Sequence, residues 1–181
     1  MLGLEQRIFA QPRHFAVQQE APAAPQFHVL DAGQRVPLDI AGLQALIVSA
    51  CEGLGADVKP DPIYAETQRN LYDGVPLDEV YKASILAART LIEKDPDYTF
   101  VTARLLLHTI FKEVLGREVG REEMAEAYAD NFPAFVKKGV EAELLDEKLL
   151  QYDLKRLGGA LKAERDLKFD YLGLQTLYDR Y

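Results

Sequence analysis

Apolar residues recur three and four positions apart through most of the chain, which is the spacing of helices that bury one face. Asp39 can cap a first helix with Leu43, Leu46, Ile47, Ala50 and Leu54 on that face, and Gly55 stands where a helix-ending glycine belongs. A second helix is predicted from Asp61 to Leu71, stopping at the turn signal Tyr72-Asp73-Gly74. Pro76 suits the first position of a third helix, whose face is Leu77, Val80, Ser84, Ala87, Ala88 and Leu91. Asp95-Pro96-Asp97 ends it and offers Asp97 as the next cap. The fourth helix carries Ala103, Leu106, Leu107, Ile110, Phe111 and Val114, with Gly116 closing it. A fifth is expected over Glu122 to Lys138, bent or broken near Pro133, with further helices over Leu144 to Leu161 and Leu167 to Tyr181.

Two stretches break this pattern. Phe27 to Leu30 and Arg35 to Leu38 flank Asp31-Ala32-Gly33-Gln34, which predicts a short hairpin with Gly33 at positive φ. Residues 1–26 hold five glutamines and Pro12, Pro22 and Pro25 without an apolar period, so they are expected to form a flexible leader. The fold class is therefore mainly α, a small hairpin ahead of a multihelical body. At the other end Phe169, Tyr171, Leu172, Leu174, Leu177, Tyr178 and Tyr181 crowd the last 13 residues. Such an apolar ending is expected to dock on its own core or on something outside it.

Composition narrows the function classes. The 181 residues are 48% hydrophobic and 28% charged, ordinary values for a globular domain and unlike those of a disordered chain. No run approaches the roughly 20 apolar residues of a membrane span, and the first residues lack a secretory signal pattern, so a cytoplasmic protein without membrane contact is expected. A net charge of −8 opposes binding to a phosphate backbone, and no nucleic-acid partner is expected.

Candidate chemistry is sparse. His14, His28 and His108 lack metal-ligand spacing, so no metal site is expected. Cys51, the single cysteine, lies on the buried side of the first helix and reads as a small core residue. Glu122, Glu123, Glu126 and Asp130 read as a solvated helix face, and Gly158-Gly159 has no evident role. No nucleophile, phosphate-loop or dinucleotide pattern occurs, and no catalytic residue is assigned.

Five segments go further: Asn70-Leu-Tyr-Asp-Gly-Val75, Tyr81-Lys-Ala-Ser-Ile-Leu-Ala-Ala-Arg89, Glu93-Lys-Asp-Pro-Asp-Tyr98, Val101-Thr-Ala-Arg-Leu-Leu106 and Arg165-Asp-Leu-Lys-Phe-Asp-Tyr-Leu-Gly-Leu-Gln-Thr-Leu-Tyr-Asp-Arg-Tyr181. In this order and spacing the chain from Phe27 to Tyr181 resembles the N-terminal part of the large subunit of class I ribonucleotide reductase. The resemblance implies an ATP-cone-like subdomain over 27–95 and a helical subdomain over 96–181, preceding a ten-stranded α/β barrel. The family's large subunit reduces ribonucleoside diphosphates to deoxyribonucleotides with a thiyl radical and a redox cysteine pair, together with a metal-containing small subunit. That chemistry needs at least three cysteines. With Cys51 alone, this chain is expected to carry no reductase activity by itself, and the remainder of the large subunit is its expected partner.

The resemblance also implies an effector site for ATP and dATP, built on a hairpin of valine, any residue, Lys-Arg-Asp-Gly and on a lysine opening the first helix. Here the matching positions read Val29-Leu30-Asp31-Ala32-Gly33 and Gly42, while Leu77 and Tyr81 stand where the family places a threonine and a histidine. Cationic donors suited to a triphosphate are missing and Asp31 would repel one. A degenerate cone around Val29, Leu30, Gly33, Gly42, Leu77 and Tyr81 is expected, with no bound cofactor. A free-standing nucleotide-sensing module and a subunit-interaction module remain the alternatives.

Overall fold

In a computed structural model, residues 27–180 are described; the expected leader lies outside them. The hairpin forms from β1 (His28–Asp31) and β2 (Gln34–Pro37), paired antiparallel with Val29 opposite Val36 and Asp31 opposite Gln34. That register leaves the two-residue turn Ala32-Gly33, with φ 47° and 80°. Both residues take the positive φ that suits the twist of the flanking strands, although only the glycine does so without steric cost. A third strand, β3 (Val75–Pro76), adds parallel to β1 with Val75 opposite Val29. It was not expected from the sequence, because a two-residue strand has no readable alternation. Pro76 consequently belongs to this strand and flanks the next helix rather than opening it.

Five main helices follow the hairpin: α1 (Ile40–Cys51), α2 (Pro60–Arg69), α3 (Leu77–Thr90), α4 (Tyr98–Leu115) and α5 (Met124–Glu141). Asp39 caps α1 as expected, its Oδ1 accepting from the Gly42 N–H at 2.8 Å. That helix ends a turn earlier than the sequence suggested, at Cys51, and Gly53 rather than Gly55 takes the positive φ, at 72°. Gly116 closes α4 in the left-handed conformation, φ 67°. Asp97 does not cap α4. Asp95 instead accepts from the Asp97 N–H, and Asp97 Oδ2 accepts from Gly55 N–H at 3.2 Å, tying the α1–α2 loop to the start of α4.

α4 is the central element, packed against α1, α3 and the terminal helix α7 (Tyr171–Arg180). Its Val101, Ala103, Leu105 and Leu106 join Ile47, Ile63, Val80 and Val29 in one core. Each of the valine, leucine and isoleucine side chains, fully withdrawn from water, contributes about 1.5–3 kcal/mol. Tyr98, buried at the start of α4, accepts from the Lys59 N–H at 2.9 Å and donates to the Lys59 carbonyl at 3.1 Å, satisfying backbone at the start of α2.

Beyond α4 the structure departs most from expectation. α5 runs without a break through Pro133, where a bend or a break was expected. Proline has no N–H to offer the Ala129 carbonyl. Gly158 lies against that carbonyl: a Cβ at 158 would come within 2.9 Å of the Ala129 oxygen and 3.1 Å of Phe132 Cβ. Gly158 thus lets the short α6 (Leu154–Gly158) reach α5, and the glycine pair has a packing role that its sequence did not suggest. The expected helix over 144–161 is replaced by a 3₁₀ turn at Glu147–Gln151 and α6, and a further 3₁₀ turn at Ala163–Lys168 precedes α7. Asp146 and Asp153 explain the interruption, since each side chain accepts from a backbone N–H two or three residues on and restarts the chain. Among the described residues no helix is long and apolar enough to cross a membrane.

Candidate functional site between the hairpin and the helices

The hairpin lies over the N-terminal ends of α1 and α3, and a cavity of about 240 Å³ opens beneath it. Val29 of β1, Gly42 of α1 and Leu77 and Tyr81 of α3 all line this cavity, so four of the six positions singled out from the sequence meet in one place. Leu30 and Gly33 do not: Leu30 points away from the buried Val29 along the strand and is exposed, and Gly33 serves the turn.

The lining is acidic. Asp31, Asp39 and Glu118 face the same space. Tyr81 donates to Glu118 Oε1 at 2.5 Å, and burial together with that carboxylate raises its phenol well above the usual range. Lys112 stands beside this pair, its Nζ 5.0 Å from the Tyr81 ring centroid and 3.8 Å from both Asp78 Oδ1 and Glu118 Oε1. His108 packs its ring edge-on against Tyr81, centroids 5.0 Å apart, and its Nε2 is buried without a hydrogen-bond partner. Burial lowers the imidazole pKa; Glu118 works the other way and Lys112 adds to the lowering. The neutral ring is therefore the form this environment favours.

Gly42 has its own geometry. A Cβ there would fall 2.4 Å from Asp39 Oδ2, because the Asp39 carboxylate folds over it to cap α1. A lysine at position 42 would have to displace the cap. The helix start is thus organised around an anion where triphosphate binding would require a cation. Of the polar residues around the expected site, Asp31, Asp39 and His108 were noticed in the sequence. Glu118 reaches the cavity, and Lys112 the Tyr81–Glu118 pair, only through folding, 37 and 31 residues after Tyr81 in the chain, and no local spacing marks them.

His28 and Cys51 lie away from this cavity. Asp73 binds His28 through both its backbone N–H, at 3.0 Å, and its ring Nδ1, at 3.2 Å, and pairs with Arg35, fastening the loop before β3 to the hairpin. The His28 backbone donor, with the Arg35 charge, lowers the Asp73 carboxyl pKa. Cys51 is half-buried at the end of α1, its thiol pushed up to about 11 by burial, with Arg104 opposing. No group of three or more His, Cys, Asp and Glu side chains that could hold a metal ion occurs among the described residues.

No protein-family model matches the sequence. Individual proteins do. The chain is 37% identical over 164 residues to the ribonucleoside-diphosphate reductase subunit alpha of Chlamydia muridarum, covering 90% of this chain and 16% of that protein. It is 44% identical over 112 residues to the subunit alpha of Chlamydia trachomatis, which spans 62% of this chain and 11% of that one. A subunit alpha of Helicobacter pylori is 32% identical over 150 residues, 82% of this chain and 18% of its own length. The chain belongs to the ribonucleoside-diphosphate reductase alpha-subunit family. It spans less than one fifth of the length of each of these relatives. The cavity beneath the hairpin is thus a feature of a reductase-family segment.

Proposed function

We propose that this chain serves as the N-terminal segment of a ribonucleotide reductase large subunit, the protein that reduces ribonucleoside diphosphates to deoxyribonucleotides. In this reading residues 27–95 are an ATP-cone-like subdomain that has kept its shape and lost effector recognition. Residues 96–181 are a helical subdomain on which the rest of the large subunit packs, in an enzyme completed by a metal-containing small subunit in the cytoplasm. The observation that carries the family role is the similarity to alpha subunits along 90% of the chain. The observation that carries the loss of effector binding is the cavity lining, where Asp31, Asp39 and Glu118 stand and the nearby Lys112 is paired with Glu118.

The exposed apolar side chains of α7 support the packing role. Leu174 is buried against the body, while Leu172 is 76% exposed and Leu177 and Tyr178 are also exposed. Isothermal calorimetry with ATP and dATP tests the degenerate cone: no saturable heat at millimolar nucleotide is expected, and a saturable, dATP-selective signal would overturn it. Supplying the remainder of a family large subunit in trans, with its small subunit, tests the segment role. Restored nucleoside diphosphate reduction is expected, and failure of the two pieces to associate would count against it.

A further inference from the structure

A second cavity, of about 270 Å³, lies on the other side of α4, between the end of α1 and the start of α5. Leu46, Leu107, Phe111, Val119 and Met124 give it apolar walls, and two guanidinium groups, Arg104 and Arg121, stand along its edge. Both arginines are engaged in the same local task. Arg104 Nη1 donates to the Ala50 and Glu52 carbonyls at 2.9 and 2.8 Å, and Arg121 donates to the Ser49 carbonyl at 2.6 Å and to Glu52 Oε2 at 3.2 Å. They thereby satisfy the orphan carbonyls at the C-terminus of α1.

That task leaves one guanidinium donor over, beside an unpaired imidazole nitrogen. Arg104 Nε is buried and has no hydrogen-bond partner among the described residues, and His108 Nε2 is in the same condition on the same wall. A buried donor without an acceptor is costly, and the cost is larger on a charged group. Burial and the neighbouring Arg121 lower the Arg104 pKa, with Cys51 and Glu52 opposing; Glu52 already pairs with Arg121, whereas Arg104 has no carboxylate partner among the described residues, so an anion beside it would offset its burial. Glu164 and Asp166 close the opposite wall, where Asp166 is held by the Tyr128 hydroxyl. Burial raises the Asp166 carboxyl pKa, opposed by that hydrogen bond. Two acidic groups facing the cavity disfavour a phosphate or a polyanion. The volume falls just below the range of drug-sized ligand pockets, which limits the body of a guest to a short chain or one ring.

The geometry points to a binding site for a small apolar monocarboxylate, its carboxylate on Arg104 and Arg121 and its hydrocarbon body among Leu107, Phe111 and Met124. This site is separate from the cavity beneath the hairpin and does not rest on the reading given to that cavity. Charge-assisted pairing with arginine supplies the orientation, and the apolar walls supply the attraction that a fully hydrated anion lacks.

Hexanoate, benzoate, neutral hexanol and inorganic phosphate, titrated into the full chain and followed by two-dimensional NMR, distinguish the possibilities. Hexanoate or benzoate is expected to saturate with shifts at the Arg104 side-chain Nε–H and the Met124 methyl, and hexanol to bind at least about tenfold more weakly. Equal binding of hexanol and hexanoate would overturn the proposal in favour of a purely apolar cavity. Phosphate binding as tight as hexanoate, or shifts scattered away from these residues, would overturn it as well. Arg104→Gln should abolish the preference for carboxylate. Because that change also uncaps α1, Ala125→Phe serves as the second variant: Ala125 is exposed at the cavity edge, so a phenyl group there should block binding while the fold persists. Unaltered hexanoate affinity in a folded Ala125→Phe variant would overturn the assignment.

Discussion

The body built on α4 and the arm built on α5 and α6 are made of the same kinds of residue and hold together in different ways. Around α4 a continuous core runs from Val29 in the hairpin to Leu174 in α7, with Ile47, Ile63, Val80 and Val101 fully withdrawn from water. Around α5 the separate buried cluster is only Val119, Met124 and Ala127, and the arm leaves Phe135, Leu144, Leu150, Tyr152 and Leu157 exposed. In the body, apolar period alone suffices to fix the packing. In the arm, close backbone approach at Gly158 and side-chain caps at Asp146 and Asp153 carry what the small core cannot.

The contrast can be broken most directly by opening each core in turn. Leu105→Ala, at a position 1% exposed in the middle of α4, should lower global stability by about 2–5 kcal/mol. Met124→Ala should fall at or below the low end of that range, since its cluster adjoins a cavity and has less packing to lose. Denaturant unfolding of both variants measures the pair, and an equal loss in both would dissolve the distinction between body and arm. Gly158→Val comes next. Its side chain would meet the Ala129 carbonyl and Phe132, and overpacking of this kind costs about 1–3 kcal/mol. Hydrogen exchange should show that cost as faster opening of α5 and α6 with α4 unchanged; uniform acceleration across the chain would mean that arm and body unfold as one unit.

The same contrast marks how far the sequence could be read. In the body, the Asp39 cap, the Leu43–Ile47–Ala50 face and Gly116 as terminator are all local signals, and the fold obeys them. The sequence missed β3, because its two residues gain strand character only by lying beside β1. In the arm the apolar spacing from Leu144 to Leu161 imitates a helix, yet Glu143 takes positive φ, 59°, and the two aspartate caps interrupt the period. Helical spacing states which positions could share a face and is silent on whether the backbone is continuous between them. The cavity beneath the hairpin divides likewise. Val29, Gly42, Leu77 and Tyr81 were found through family resemblance, whereas Glu118, which sets its charge with Asp31 and Asp39, and Lys112, which pairs with Glu118, arrive from the loop beyond α4 and from the far end of that helix.

Two titrations sharpen the comparison with smaller effects. Cys51 lies at the end of α1 beside the cavity that separates body from arm, and its thiol is raised to about 11. Since the thiolate is the nucleophile, alkylation by iodoacetamide at pH 8 should be much slower than for a free cysteine, and its rate should still be rising at pH 10. A rate already level by pH 9 would show that this end of α1 is open to water, placing the weak boundary inside the body.

His108 gives the smallest effect and the finest test, because its ring stands between the two cavities and belongs to the body's central helix. Its folded-state pKa is lowered, first by burial, so the unfolded chain takes up a proton on this residue at a higher pH than the folded chain does. Stability contributed by the neutral ring is therefore fully present above the unfolded value of about 6.5, and is lost as pH falls below it toward the folded-state value. His108→Gln should flatten that part of the stability profile between pH 7 and pH 5, leaving the slope due to carboxylates at lower pH in place. The groups facing the ring act in opposite directions, Glu118 favouring the charged form and Lys112 opposing it. Glu118→Gln should consequently steepen the same region by removing the one nearby partner that tolerates a protonated ring. If Glu118→Gln leaves the slope unchanged, Glu118 does not act on the ring and the acidic cavity does not reach the core of the body.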